Sequence, residues 1–172
     1  MRNSNNLSGT RIILGIDPGY ADLGYGLISV AGQRMTYITC DSMRTKSSEP
    51  QAERLATLFH ELQKIITSYK PQLMSVEKIF FTNNQKTAID VAHARGVMLL
   101  AAALNNLPVA EYTPLEVKQS LTSSGRAQKL QVARMVYTLL NISTLKKKDD
   151  AIDALAIAIC AAFRNKNLEY RI

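Results

Sequence analysis

Residues 12–19 read Ile12-Ile-Leu-Gly-Ile-Asp-Pro-Gly19. An uncharged, β-branched run ends on one acid and is broken by Pro-Gly, so the segment reads as a buried strand carrying Asp17 at its end. A second run repeats the plan: Leu73-Met-Ser-Val-Glu77 is short, mostly apolar and closed by an acid. Near the end of the chain, Asp150-Ala-Ile-Asp-Ala-Leu-Ala156 sets two acids three apart on an apolar helical segment, a spacing that keeps them on one face. A fold that gathers the two strand ends and this helix puts four carboxylates at one point. Such a group repels itself unless a cation is present. Hard divalent ions suit oxygen ligands, and two of them about 4 Å apart activate water and steady the leaving oxygen in phosphodiester hydrolysis.

Each acid alone has a plainer reading. Asp17 before Pro-Gly is a fair turn residue, and Asp150 a fair helix cap. Glu77 resists that reading, because it follows Leu73, Met74 and Val76 in an interior stretch. Asp153 resists it too, lying within Ala151 to Phe163, a segment otherwise free of charge. Together the four point to a site. Asp149 is a further acid beside Asp150, and helical spacing alone places both on the face of Asp153.

Gly24 to Val30 and Met35 to Cys40 read as two more strands, giving an antiparallel meander with the first. From Gln51 to Tyr69, Leu55, Leu58, Phe59, Leu62, Ile65, Ile66 and Tyr69 recur at the spacing of one helical face, which Pro71 closes. After the strand at Leu73–Glu77 come an alanine-rich helix from Gln85 to Asn105 and a strand from Val109 to Tyr112. Helices are expected at Thr113–Ser120, Gln128–Leu140 and Asp149–Arg164. Three strands followed by alternating strands and helices predict an α/β fold, a mixed five-stranded sheet with helices on both faces. The expected organisation is a leader over 1–10, one domain over 11–165 and a short tail over 166–172.

The chain of 172 residues has a formal charge of +7 and a pI near 9.5. A basic surface around an acidic centre suits an enzyme that holds a phosphate backbone. Cys40 and Cys160 stand far apart with no Cys-x-x-Cys or Cys/His ligand spacing, which speaks against a disulfide framework or a zinc site and for a reducing cytoplasm. Residues 1–10 have no apolar core for a signal peptide. The apolar stretch Ala154–Phe163 is far short of the roughly 18 residues of a membrane span. His60 and His93 have no second ligand at metal spacing and are given no role.

A mixed sheet with an Asp on its first strand, a Glu ending its fourth and acids on the last helix resembles the ribonuclease H-like nucleases. Narrower motifs are Gly15-Ile-Asp-Pro-Gly19 with Gly24-Tyr-Gly26, Val76-Glu-Lys-Ile-Phe80, Ala94-Arg-Gly96, Val117-Lys-Gln119, Ala127-Gln-Lys-Leu-Gln-Val132 and Asp150-Ala-Ile-Asp-Ala-Leu-Ala156. In that order they resemble the RuvC family of bacterial Holliday junction resolvases, from about residue 11 to about residue 163. The resemblance implies a homodimeric endonuclease that nicks two opposed strands of a four-way DNA junction. It also implies two Mg²⁺ ions per site, with Mn²⁺ as a substitute, and cooperation with the RuvA and RuvB branch-migration proteins. By the same resemblance Asp17, Glu77, Asp150 and Asp153 are metal-binding catalytic acids. Lys129 and Lys118 match basic residues near the scissile strand, and Phe80 matches an aromatic that contacts unpaired bases.

The chain departs from the family pattern in two loops. Leu23 stands where Thr is usual before Gly-Tyr-Gly, and Ser123 replaces the first glycine of a Gly-x-Gly turn. The run Lys146-Lys-Lys148 reads as a solvated loop that also lies within reach of a backbone phosphate. Three other readings share parts of the pattern. They are a ribonuclease H-like nuclease of YqgF type acting on RNA, an actin-like ATPase using Asp17-x-Gly19 as a phosphate loop, and a non-catalytic binder of branched DNA. The ATPase needs a second lobe that a chain of this length does not supply.

Overall fold

The computed structural model describes residues 9–78, 85–143 and 149–165. Most of the expected leader, the tail over 166–172, Phe80, Phe81 and the Lys146–Lys148 run lie outside the described residues. The elements are β1 (Arg11–Asp17), β2 (Asp22–Ala31), β3 (Arg34–Arg44), α1 (Gln51–Tyr69), β4 (Leu73–Glu77), α2 (Gln85–Leu104), β5 (Val109–Tyr112), α3 (Pro114–Thr122), α4 (Lys129–Leu139) and α5 (Asp149–Arg164). The five strands form one sheet in the order β3-β2-β1-β4-β5. β1, β2 and β3 pair antiparallel, whereas β4 joins β1, and β5 joins β4, in parallel. β1 is therefore the central strand.

Side-chain alternation along the strands sorts residues between two cores. Leu14 and Ile16 of β1, Leu23 and Leu27 of β2, and Met74 and Val76 of β4 pack with α1 and α2. Ile13, Ile28, Val30 and Leu73 pack on the other face with α3, α4 and α5. Counting in twos from these anchors puts Asp17 and Glu77 on the α5 face. Helices thus cover both faces, as the pattern of elements predicted.

α5 approaches the β1–β2 ladder very closely. A Cβ at Gly15 would lie 2.0 Å from the Ala154 carbonyl oxygen, one at Gly24 would lie 2.1 Å from the Asp150 carbonyl oxygen, and one at Gly26 would lie 2.8 Å from Leu155. Gly15 and Gly26 are cross-strand partners, and Gly24 is the partner of Asp17. The absent side chains make a trough in which the small residues Ala151, Ala154 and Ala158 let the helix backbone rest on the sheet. Ser75 adds a pin: its buried hydroxyl donates to the Ile157 carbonyl at 3.0 Å. Consequently α5 is buried nearly all round. Between Ala151 and Ala162 only Asp153 is not buried.

Both departures from the family pattern now have a place. Leu23 lies in β2, not in a loop, and is fully buried against the α1–α2 core. Ser123 closes α3 in the left-handed region at φ 59°, its N–H donating to the Gln119 carbonyl, so the turn that a glycine would favour is kept at some steric cost. α3 itself opens with a capping box, Thr113 accepting from the Glu116 N–H and Glu116 accepting from the Thr113 N–H. The observed strands β2 and β3 run longer than the apolar runs suggested. Their ladder continues to Asp22 opposite Arg44, where the two side chains form an ion pair at 3.0 Å.

Candidate active site

The parallel pairing of β1 with β4 brings Asp17 and Glu77 to the same end of neighbouring strands, and α5 delivers Asp153 to the same place. These three acids line one cleft of about 190 Å³ together with Lys118 from α3 and Lys129 from α4. Val117, Val132, Ala156 and Ile157 form its apolar floor and walls. Asp150 stands one helical turn before Asp153 and acts electrostatically on both Asp17 and Asp153. Asp149 acts on Asp153 and Lys129 and is far more exposed, with 82% of its side chain accessible. Of the two neighbouring acids, Asp150 acts on Asp17, and its backbone carbonyl lies against Gly24.

The electrostatics are those of a centre with too much negative charge. Burial, then repulsion from Glu77, Asp153 and Asp150, raises Asp17 from the ordinary carboxylate value to about 7. Glu77 is raised by burial and by Asp153, with Lys118 opposing. Asp153 is raised as well, burial outweighing the hydrogen bond from Lys129. Lys129 is raised chiefly by that same bond; its ammonium lies 2.8 Å from Asp153 and 3.5 Å from Asp149. Among the described residues no three acid, imidazole or thiol groups draw together tightly enough to ligate one ion. The donor set nevertheless fits a hard divalent cation in chemistry, since the cleft offers only carboxylate oxygens and their mutual repulsion is what such an ion relieves.

Asp17, Glu77, Asp153, Lys118 and Lys129 thus share one cleft, with Asp150 acting on it from the next turn. Phe80 falls outside the described residues. Sequence reasoning missed the glycine trough and the Ser75 pin, which position α5 without touching the cleft. Their signal was available: Gly15, Gly24 and Gly26 share one strand face, and Ala154-x-x-x-Ala158 is the matching small stripe on the helix.

A mixed five-stranded sheet with carboxylates converging from its central strands and its last helix is the ribonuclease H-like fold of metal-dependent nucleases. The family description crossover junction endodeoxyribonuclease RuvC matches residues 13–161, and the chain belongs to the RuvC family. It is 50% identical over 151 residues to the crossover junction endodeoxyribonuclease RuvC of Alkaliphilus oremlandii, covering 88% of this chain and 92% of that protein. The Thermus thermophilus RuvC structure superposes with a TM-score of 0.83 at 33% identity, covering 88% of this chain and 93% of that one. T. thermophilus RuvC in complex with Holliday junction substrate gives 0.85 at 32% identity, covering 89% and 93%.

Proposed function

We propose that this chain resolves four-way DNA junctions by nicking opposed strands, using the cleft at the ends of β1 and β4. The observation that carries the reading is the convergence of Asp17, Glu77 and Asp153 on one cleft beside Lys118 and Lys129, in a chain of the RuvC family. Asp17, Glu77, Asp153 and Asp150 are the groups that would hold divalent metal, Mg²⁺ with Mn²⁺ as substitute. Two such ions supply Lewis acidity at the phosphate and a nucleophilic water at neutral pH. Asp17 and Glu77, rooted on adjacent strands, set the spacing of the donors; the rigid seat of α5 holds Asp153 opposite them. Lys118 and Lys129 face the approaching backbone from α3 and α4, where an ammonium offsets charge that builds on the phosphate. Phe80 is the proposed contact to an unpaired base.

The resemblance supports RuvA and RuvB as partners, and a homodimer has support from the surface as well. Ile89, Leu100 and Leu104 are 58%, 53% and 61% exposed. With Ala92, Gly96 and Ala103 they make an apolar stripe along the outer face of α2, interrupted by His93. Nothing lies within 4 Å of an ideal Cβ at Gly96, so a second helix can approach closely there. A two-fold contact on this stripe would give one assembly two clefts, one for each opposed strand. No helix among the described residues is long and apolar enough to cross a membrane, and the proposed location is the cytoplasm.

The test is a cleavage assay on a synthetic four-way junction beside duplex DNA and RNA-containing hybrids. Wild type is expected to cut the junction in paired nicks and leave the others nearly intact. Leu100→Glu, which places charge on the α2 stripe, is expected to run as a monomer in sedimentation and to lose paired nicking. Preferential cutting of the RNA-containing substrate would replace the junction reading with the RNA nuclease.

A further inference from the structure

Asp149 has no part in the proposed donor set, yet it shares the Lys129 ammonium with Asp153. Lys129 is the first residue of α4, and the helix start is anchored by Gln128, whose N–H donates to Gln131 Oε1 at 2.8 Å. The backbone of the lysine is therefore held while its long side chain is left to move. Its ammonium lies 2.8 Å from Asp153, inside the cleft, and 3.5 Å from Asp149, on the rim. The two acids are one turn apart on α5, so a swing of the side chain exchanges one for the other with no change of fold.

We propose that Lys129 is a tethered counter-ion that neutralises Asp153 until a divalent cation takes that carboxylate, and that Asp149 is the positioning residue that receives the displaced ammonium. The proposal rests on reading the cleft as the metal site. Asp153 is partly buried, with 32% of its side chain exposed, and needs a positive partner. Asp149, at 82% exposure, is solvated and already lies 3.5 Å from the ammonium, so it can take over the whole of that charge when Asp153 gives it up. An exposed Lys–Asp pair contributes little. The hand-off therefore holds the lysine close to the cleft without trapping it. Lys118 provides the contrast, since it lines the same cleft and forms no ion pair among the described residues.

The experiment measures Mn²⁺ binding to the DNA-free full chain at low ionic strength, from the electron paramagnetic resonance signal of free Mn²⁺. Lys129→Met is expected to bind Mn²⁺ about fivefold to tenfold more tightly than wild type, and Lys118→Met less than about twofold more tightly. Asp149→Asn is expected to weaken binding about threefold, because the displaced ammonium then has no acceptor, and to have almost no effect in the Lys129→Met background. Equal gains from the two lysine variants would reduce Lys129 to a remote charge and overturn the proposal. An equal loss from Asp149→Asn in both backgrounds would overturn the role of Asp149. Asp17→Asn separates the two levels. If it loses Mn²⁺ while residues 129 and 149 prove uncoupled, the metal site stands and the hand-off fails; if it binds Mn²⁺ as wild type does, both fail.

Discussion

Asp17→Asn is expected to lower the single-turnover rate of junction cleavage by about a thousandfold or more, equivalent to several kcal/mol of lost metal-assisted stabilisation. Junction binding should survive or tighten, because a charge that repels phosphate is gone. The same variant should melt at a higher temperature than wild type at pH 8 in the absence of metal. Asp17 is raised to about 7 by burial and by Glu77, Asp153 and Asp150. Between its ordinary value and about 7 the folded protein holds a proton that the unfolded chain releases, so stability falls as pH rises through this window. Above it the full cost of the buried charge is present. The neutral amide escapes that cost, and thermal melts at pH 5 and pH 8 should show wild type losing more stability than the variant. A catalytic loss accompanied by lower stability at pH 8 would mean that Asp17 is a structural residue. Wild-type cleavage would remove it from the site altogether.

Gly15→Ala should be a severely damaging small change. Its Cβ would lie 2.0 Å from the Ala154 carbonyl oxygen and 2.8 Å from the Ala158 backbone nitrogen. Neither is the end of a flexible side chain, so α5 or β1 must shift. Overpacking of this kind costs about 3 kcal/mol or more, which for a chain of this size lowers the melting temperature by roughly 10 °C. Cleavage should fall further than the loss of folded protein explains, because the moving helix carries Asp150 and Asp153 away from Asp17. Denaturant unfolding monitored beside activity per folded molecule makes the distinction. A variant of wild-type stability would show that the helix does not rest on the sheet as closely as described.

Much of this architecture follows from local rules acting on particular residues. The apolar runs ending at Asp17 and Glu77 mark two strands; which face each acid takes follows only once Ile13 and Leu73 are seen to pack with α5. The long uncharged stretch around Asp153 announces a buried helix, and the structure buries it. What local rules miss depends on partners distant in sequence. Strands β2 and β3 extend to Asp22 and Arg44 because each polar end is paired with the other, and no hydrophobic pattern carries that information. Leu23 stands in a stretch suspected of being a loop, yet its neighbours across the sheet make it core. The contact of the Asp150 backbone with Gly24 joins residues about 125 positions apart, which helical spacing cannot foresee. The pairing of Lys129 with two acids on α5 is equally invisible, since helical spacing says nothing about which other element stands opposite.

Acids from β1, β4 and α5 are proposed to form a divalent-metal centre that cuts DNA. Anomalous scattering from crystals of the protein soaked in Mn²⁺ tests it most directly, because the signal locates the ion without reference to activity. Mn²⁺ peaks are expected within ligand distance of Asp17, with Glu77 and Asp153 as further contacts and the Lys129 ammonium moved toward Asp149. Strong Mn²⁺ peaks elsewhere on the protein, with Asp17 and Glu77 bare at saturating metal, would contradict it.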